Sequence, residues 1–89
     1  MNYGTATRLS PDQALEMAEL FFGPRGLGLD VAARRPESLE AAGPQGSVSV
    51  RVQCTDGSTE VFLKTDATDA LDEQVRRFMA EIYEEAYLR

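Results

Sequence analysis

Histidine is absent from the chain and cysteine occurs once, at Cys54, which closes most side-chain catalysis before any fold is considered. Without an imidazole, neither a Ser-His-Asp nor a Cys-His arrangement can be assembled. One cysteine and no histidine cannot make a zinc site. Cys54 continues the alternation of Val48, Val50 and Val52, so it reads as a small inward-facing hydrophobe rather than a reactive thiolate. Gly23-Pro24-Arg25-Gly26-Leu27-Gly28 has the glycine density of a phosphate loop. Such loops use the positive N-terminus of the helix they open, whereas this stretch follows a helix and meets its negative end. The carboxylates Asp66, Asp69, Asp72, Glu73, Glu81, Glu84 and Glu85 crowd the last quarter of the chain. Glu73 stands three and four residues from Arg76 and Arg77, and Arg77 four from Glu81, the spacing of surface ion pairs on a helix. A catalytic carboxylate pair needs a pocket that lifts one pKa, and no pattern here points to one. The reading is a non-enzyme with no catalytic residue, cofactor or metal. An enzyme working through Asp, Glu and Tyr without His is a third reading, ahead only of nucleic-acid binding.

What remains is recognition. Two groups of side chains are candidates for an interaction surface. Arg51, Glu60, Phe62 and Lys64 fall on the polar side of two alternating segments, and Phe62 is the one large apolar group among them. Arg51 is expected directly across from Phe62, as a cation–π or stem-packing pair. Met79, Tyr83 and Tyr87 follow one another at four-residue spacing down one flank of a helix, at the margin of its apolar stripe.

The elements that must position these groups have clear boundaries. Ser10, Pro11 and Gln13 form a capping-box start, and Gly23-Pro24 a stop, predicting a helix over 11–22 whose apolar face runs from Ala14 to Phe22. From Leu27 the period changes to two. Strands are predicted over 27–34, 38–42, 47–55 and 58–65, separated by turns at 35–37, 43–46 and Asp56-Gly57. The last is a preferred two-residue hairpin loop that needs positive φ at both positions. Counting outward from the loops pairs Val52 with Val61, Val50 with Leu63, Leu39 with Val50, Ala41 with Val48, Ala33 with Leu39 and Val31 with Ala41. All three loops place apolar groups on one face, and a one-residue slip in any would break the agreement. A second helix is expected from an Asp66 or Thr68 cap, with Leu71, Val75, Phe78, Met79, Ile82, Tyr83 and Ala86 as its stripe.

The expected fold is therefore α+β, in the order α-β-β-β-β-α: a four-stranded antiparallel meander with two helices packed on one face. Residues 1–89 make a single domain, with 1–8 as a frayed, disordered tail. The exposed edges would be the strands at 27–34 and 58–65. At 89 residues, with 43% apolar and 27% charged side chains, the chain can support one stable core without staples.

Net charge −6 argues against nucleic acid and against anionic membrane surfaces; a concave basic groove around Arg34, Arg51 and Lys64 would reopen the former. No apolar run reaches transmembrane length or forms a leader, and a lone cysteine suits a reducing compartment. A cytoplasmic location is the expectation. All basic residues but Lys64 are Arg, a coding bias of GC-rich, here bacterial, genomes. The functional expectation is a small protein-interaction domain that contacts a protein partner or self-associates. The alternative is a binder of a small apolar ligand, in a pocket between helices and sheet lined by Phe21, Phe22, Phe78 and Tyr83.

Overall fold

A computed structural model of the chain describes residues 2–67 and 69–88, with side chains described for 2–66 and 71–83. The elements are β1 (Asn2–Thr7), α1 (Pro11–Phe22), β2 (Asp30–Arg35), β3 (Ser38–Gly43), β4 (Gly46–Thr55), β5 (Ser58–Ala67) and α2 (Asp69–Leu88). The fold is α+β, and the sheet has five antiparallel strands in the order β1-β5-β4-β3-β2.

The first correction concerns the N-terminus. Residues 2–7 are not a frayed tail but an edge strand, paired with β5 from Asn2–Lys64 to Thr7–Thr59. The strand at 58–67 is therefore internal, and the sheet's edges are β1 and β2. Tyr3 packs against the core and Thr7 is buried beneath α2. Thr7 Oγ1 donates to the Ile82 carbonyl and accepts from the Leu9 amide, while Thr59 Oγ1 donates to the Leu9 carbonyl at 2.6 Å. These buried hydroxyls satisfy backbone groups where the chain leaves the sheet for α1, and an unmet group there would be costly.

Helix α1 begins as its sequence dictates. Ser10 Oγ accepts from the Gln13 amide, and Gln13 Oε1 accepts from the Ser10 amide. Gly23 closes the helix, its amide donating to the Glu19 carbonyl. The chain then turns so tightly that a Cβ on Gly26 would lie 2.0 Å from the Phe21 carbonyl oxygen. Ala14, Leu15, Ala18 and Phe22 are buried, but Leu20, read as part of the apolar face, is 58% exposed.

The β4–β5 hairpin has the expected register, Val52–Val61 and Val50–Leu63, around Asp56 and Gly57 at φ 46° and 84°. β3–β4 likewise pairs Leu39–Val50 and Ala41–Val48. The β2–β3 hairpin differs. Its loop is two residues long, Pro36-Glu37, so Arg35 pairs with Ser38 and Arg34 with Leu39. A bulge at Ala32 then absorbs the extra residue and restores Val31 to Ala41. The consequence is a change of face: Arg34 points to the helix side, where it meets Glu19 at 4.0 Å, and Arg35 points outward to Glu40 at 3.4 Å.

Both helices pack on one face of the sheet, α1 over β3, β4 and β5, and α2 over β1 and β5. Leu39, Val48, Val50, Val52, Val61 and Leu63 form the sheet side of the core, with Leu71, Val75, Phe78 and Ile82 from α2 above them. Asp66 lies within β5, paired with Ser47, and is not a helix cap; Thr68 is outside the described residues. No helix among the described residues is long and apolar enough to cross a membrane.

Candidate interaction surface

The outer face of the sheet is organised in rows that run across the strands. One row is Arg35–Ser38–Arg51–Phe62–Gly4, and the next is Glu40–Ser49–Lys64–Asn2. Large side chains at Arg35, Arg51, Phe62 and Lys64 stand around the small Ser38 and Ser49. Between them lies an open groove of about 400 Å³, with Asn2 and Tyr3 at its β1 end. The size difference within each row makes the depression; no loop is needed to wall it.

Arg51 and Phe62 are at its centre and meet as their register requires, the guanidinium carbon 5.1 Å from the ring centroid. At a half-exposed site such a contact contributes about 0.5–1 kcal/mol and holds the guanidinium plane against the ring. On its other side Phe62 lies beside Gly4, whose hydrogen in place of a side chain leaves that flank of the ring uncovered by β1. Arg35, Arg51 and Lys64 set three cations in the groove against the single carboxylate Glu40, on a chain whose net charge is −6. The local potential is thus opposite in sign to that of the molecule as a whole, and a cleft concentrates such a field. Glu60 is on the same face but one row away, opposite Gln53 and Ala6, and does not line the groove.

The structure thus gathers Arg51, Phe62, Lys64 and Glu60 on one face and separates them from the helical candidates. Met79 packs against the core, Tyr83 is 48% exposed on α2, and the side chain of Tyr87 is outside the described residues. Arg34, which a basic groove with Arg51 and Lys64 would have needed, is on the opposite face beside Glu19. Arg35 takes that place because the loop that follows it has two residues rather than three. The β1 contribution, Asn2 and Tyr3, is missing from the sequence reading because residues 1–8 carry too little apolar alternation. Their available signal was the β-prone Tyr3, Thr5 and Thr7 at every second position.

A further expectation is corrected by the side chains. Cys54 is on the helix-facing side of β4, opposite Thr59, but is exposed, because it lies beyond the last β3–β4 pair, Ser38–Arg51. Three of the aromatic residues expected to line a ligand pocket pack on one another, and Tyr83 stands 48% exposed. Phe21, Phe22 and Phe78 have ring centroids 5.0–5.4 Å apart, and Phe22 and Phe78 are fully buried. Rings at that spacing occupy each other's contact surface as core.

The chain matches no protein-family model and no curated protein sequence.

Proposed function

We propose that this chain is a small, non-enzymatic, cytoplasmic protein-interaction domain that recognises its partner through the outer face of the sheet. The observation that carries the reading is the groove itself: three cations and one carboxylate around a half-buried phenylalanine, on an acidic chain. Arg and aromatic side chains are the residues on which binding energy concentrates at protein interfaces. The Arg51–Phe62 pair supplies both in one preorganised contact.

The chemistry that complements this groove is a polypeptide segment with carboxylates beside an apolar side chain. The carboxylates would pair with Arg51 and Lys64, and the apolar group would cover Phe62. A nucleic-acid strand fits less well. One ring offers one stacking platform, and beyond the groove a phosphate backbone would run over Glu60 and Asp66, which share the face.

Selection from a displayed peptide library on the immobilised domain tests this reading. The expected result is enrichment of peptides with Asp or Glu next to an apolar residue, whose binding falls at least about tenfold on Arg51→Glu. No enrichment, or enriched peptides indifferent to Arg51→Glu and Phe62→Ser, would overturn it. Preferential capture of single-stranded oligonucleotides would replace the protein partner with a nucleic acid.

A further inference from the structure

The β1 edge poses a physical problem that the rest of the molecule does not. An edge strand offers a row of backbone donors and acceptors to any strand that approaches, and proteins blunt such edges with charges, proline or bulges. β2 carries all three devices at or beside it: Asp30, Arg34 and Arg35, then Pro36, with the bulge at Ala32. β1, Asn2-Tyr3-Gly4-Thr5-Ala6-Thr7, carries no charge, no proline and no register shift in its pairing. It is as long as an average strand.

We infer that β1 is a self-association edge, at which two copies of this chain pair antiparallel, Gly4 opposite Gly4, into one continuous ten-stranded sheet. The inference goes beyond the proposed groove partner: the second copy occupies the β1 edge and extends the outer face.

The register follows from the rows already described. A two-fold axis perpendicular to the sheet keeps outer residues opposite outer residues, so Asn2, Gly4 and Ala6 of one copy must pair among themselves. Centring on Gly4 continues the first row through the axis as Arg51–Phe62–Gly4, then the partner's Gly4, Phe62 and Arg51. Two adjacent glycines leave a trough with no side chains, flanked by two partly buried rings. Each ring can lean over it and bury the flank that Gly4 leaves bare in the monomer.

The same axis sets Asn2 against the partner's Ala6. It thereby aligns Lys64, which is paired with Asn2, with the partner's Glu60, which is paired with Ala6. Their strands are roughly 14 Å apart, three interstrand steps, and only two small outer side chains separate them. The long Lys and Glu side chains converge across that gap with opposite charge. The contact is isologous and closes as a dimer, whereas β1 on β2 would build an open filament that the bulge obstructs.

Analytical ultracentrifugation and light scattering test the dimer. The wild type is expected to show a monomer–dimer equilibrium below about 1 mM. Gly4→Lys should abolish it, raising the dissociation constant at least about 100-fold by placing like charges across the axis. The monomer should tolerate that change, because a Cβ at Gly4 meets Phe62 Cδ1 at 3.9 Å, an ordinary contact. Circular dichroism and melting of the variant confirm that it folds. Lys64→Glu should weaken the dimer several-fold, and adding Glu60→Lys should restore it. A wild type that is monomeric throughout the range, or a dimer unchanged by Gly4→Lys, would sink the proposal. Failure of the charge swap to restore association would overturn the Gly4-centred register. A monomeric wild type that still takes the selected peptides overturns the dimer alone. A Gly4-dependent dimer that selects no peptide keeps the dimer and removes the second partner.

Discussion

The two edges of this sheet are built on opposite terms. β1 is neutral and regular, and it is tied down from the inside by buried hydroxyls: Thr7 to the Ile82 carbonyl and Leu9 amide, with Thr59 of β5 to the Leu9 carbonyl. β2 is charged and bulged, and its side-chain ties, Arg34–Glu19 and Arg35–Glu40, lie at the surface. The difference teaches where each edge is vulnerable. β1 depends on buried polar satisfaction, which is stiff and costly to break. β2 depends on shape and on solvated charge, which adds little stability but denies pairing to other chains.

That contrast can be broken most severely at Thr7. Thr7→Val keeps the side-chain shape but removes the partner of the Leu9 amide, while the Ile82 carbonyl, inside α2, keeps its helical bond. It should destabilise the fold by about 1–3 kcal/mol. Urea denaturation at low protein concentration, where association does not contribute, measures it.

Deleting Ala32 probes the other edge. The bulge would vanish while Val31–Ala41 and Arg34–Leu39 kept their partners. Stability should change by no more than about 1 kcal/mol, yet β2 becomes as regular as β1. Light scattering should then detect species larger than a dimer, since both edges can pair. A deletion variant that associates no further than the wild type would show that the charges, rather than the bulge, protect β2.

Phe62→Ala addresses the outer support of β1, removing the ring that lies beside Gly4 and against Arg51. The expected cost is about 0.5–1 kcal/mol. Hydrogen exchange should accelerate at β1 amides and stay unchanged at β2. Equal acceleration at both edges would contradict the assignment of the ring to β1. The smallest effect is expected from Arg34→Ala. Its contact with Glu19 is long and both side chains are partly solvated, so the loss should be under about 0.5 kcal/mol in the same denaturation assay.

Much of the molecule is legible without coordinates. The capping box at Ser10, the glycine stop at Gly23, the positive-φ hairpin at Asp56-Gly57 and the alternating valines of β4 are local signals, and each acts where it is written. The Arg51–Phe62 contact is legible for the same reason, because a two-residue loop sets a register that carries outward residue by residue. Leu20 and Cys54 mark where such reading stops. Both have the right periodicity for burial, but whether anything covers a periodic position depends on how far the neighbouring element extends.

The outer surface shows the division most clearly. Sequence alone determined that Arg51, Phe62, Lys64 and Glu60 share a face, because strand alternation and one tight turn are local. Only the folded sheet places Arg35 rather than Arg34 among them, since Arg35-Pro36-Glu37 suits a two- or a three-residue loop, and the bulge that reconciles the shorter one with Val31–Ala41 is written in neither strand. Only it decided that residues 2–7 form the strand beside Phe62. The β-prone Tyr3, Thr5 and Thr7 alternate with Asn, Gly and Ala, too weak a signal by itself, and the segment becomes a strand because β5 offers it an unpaired edge and α2 covers its inner face.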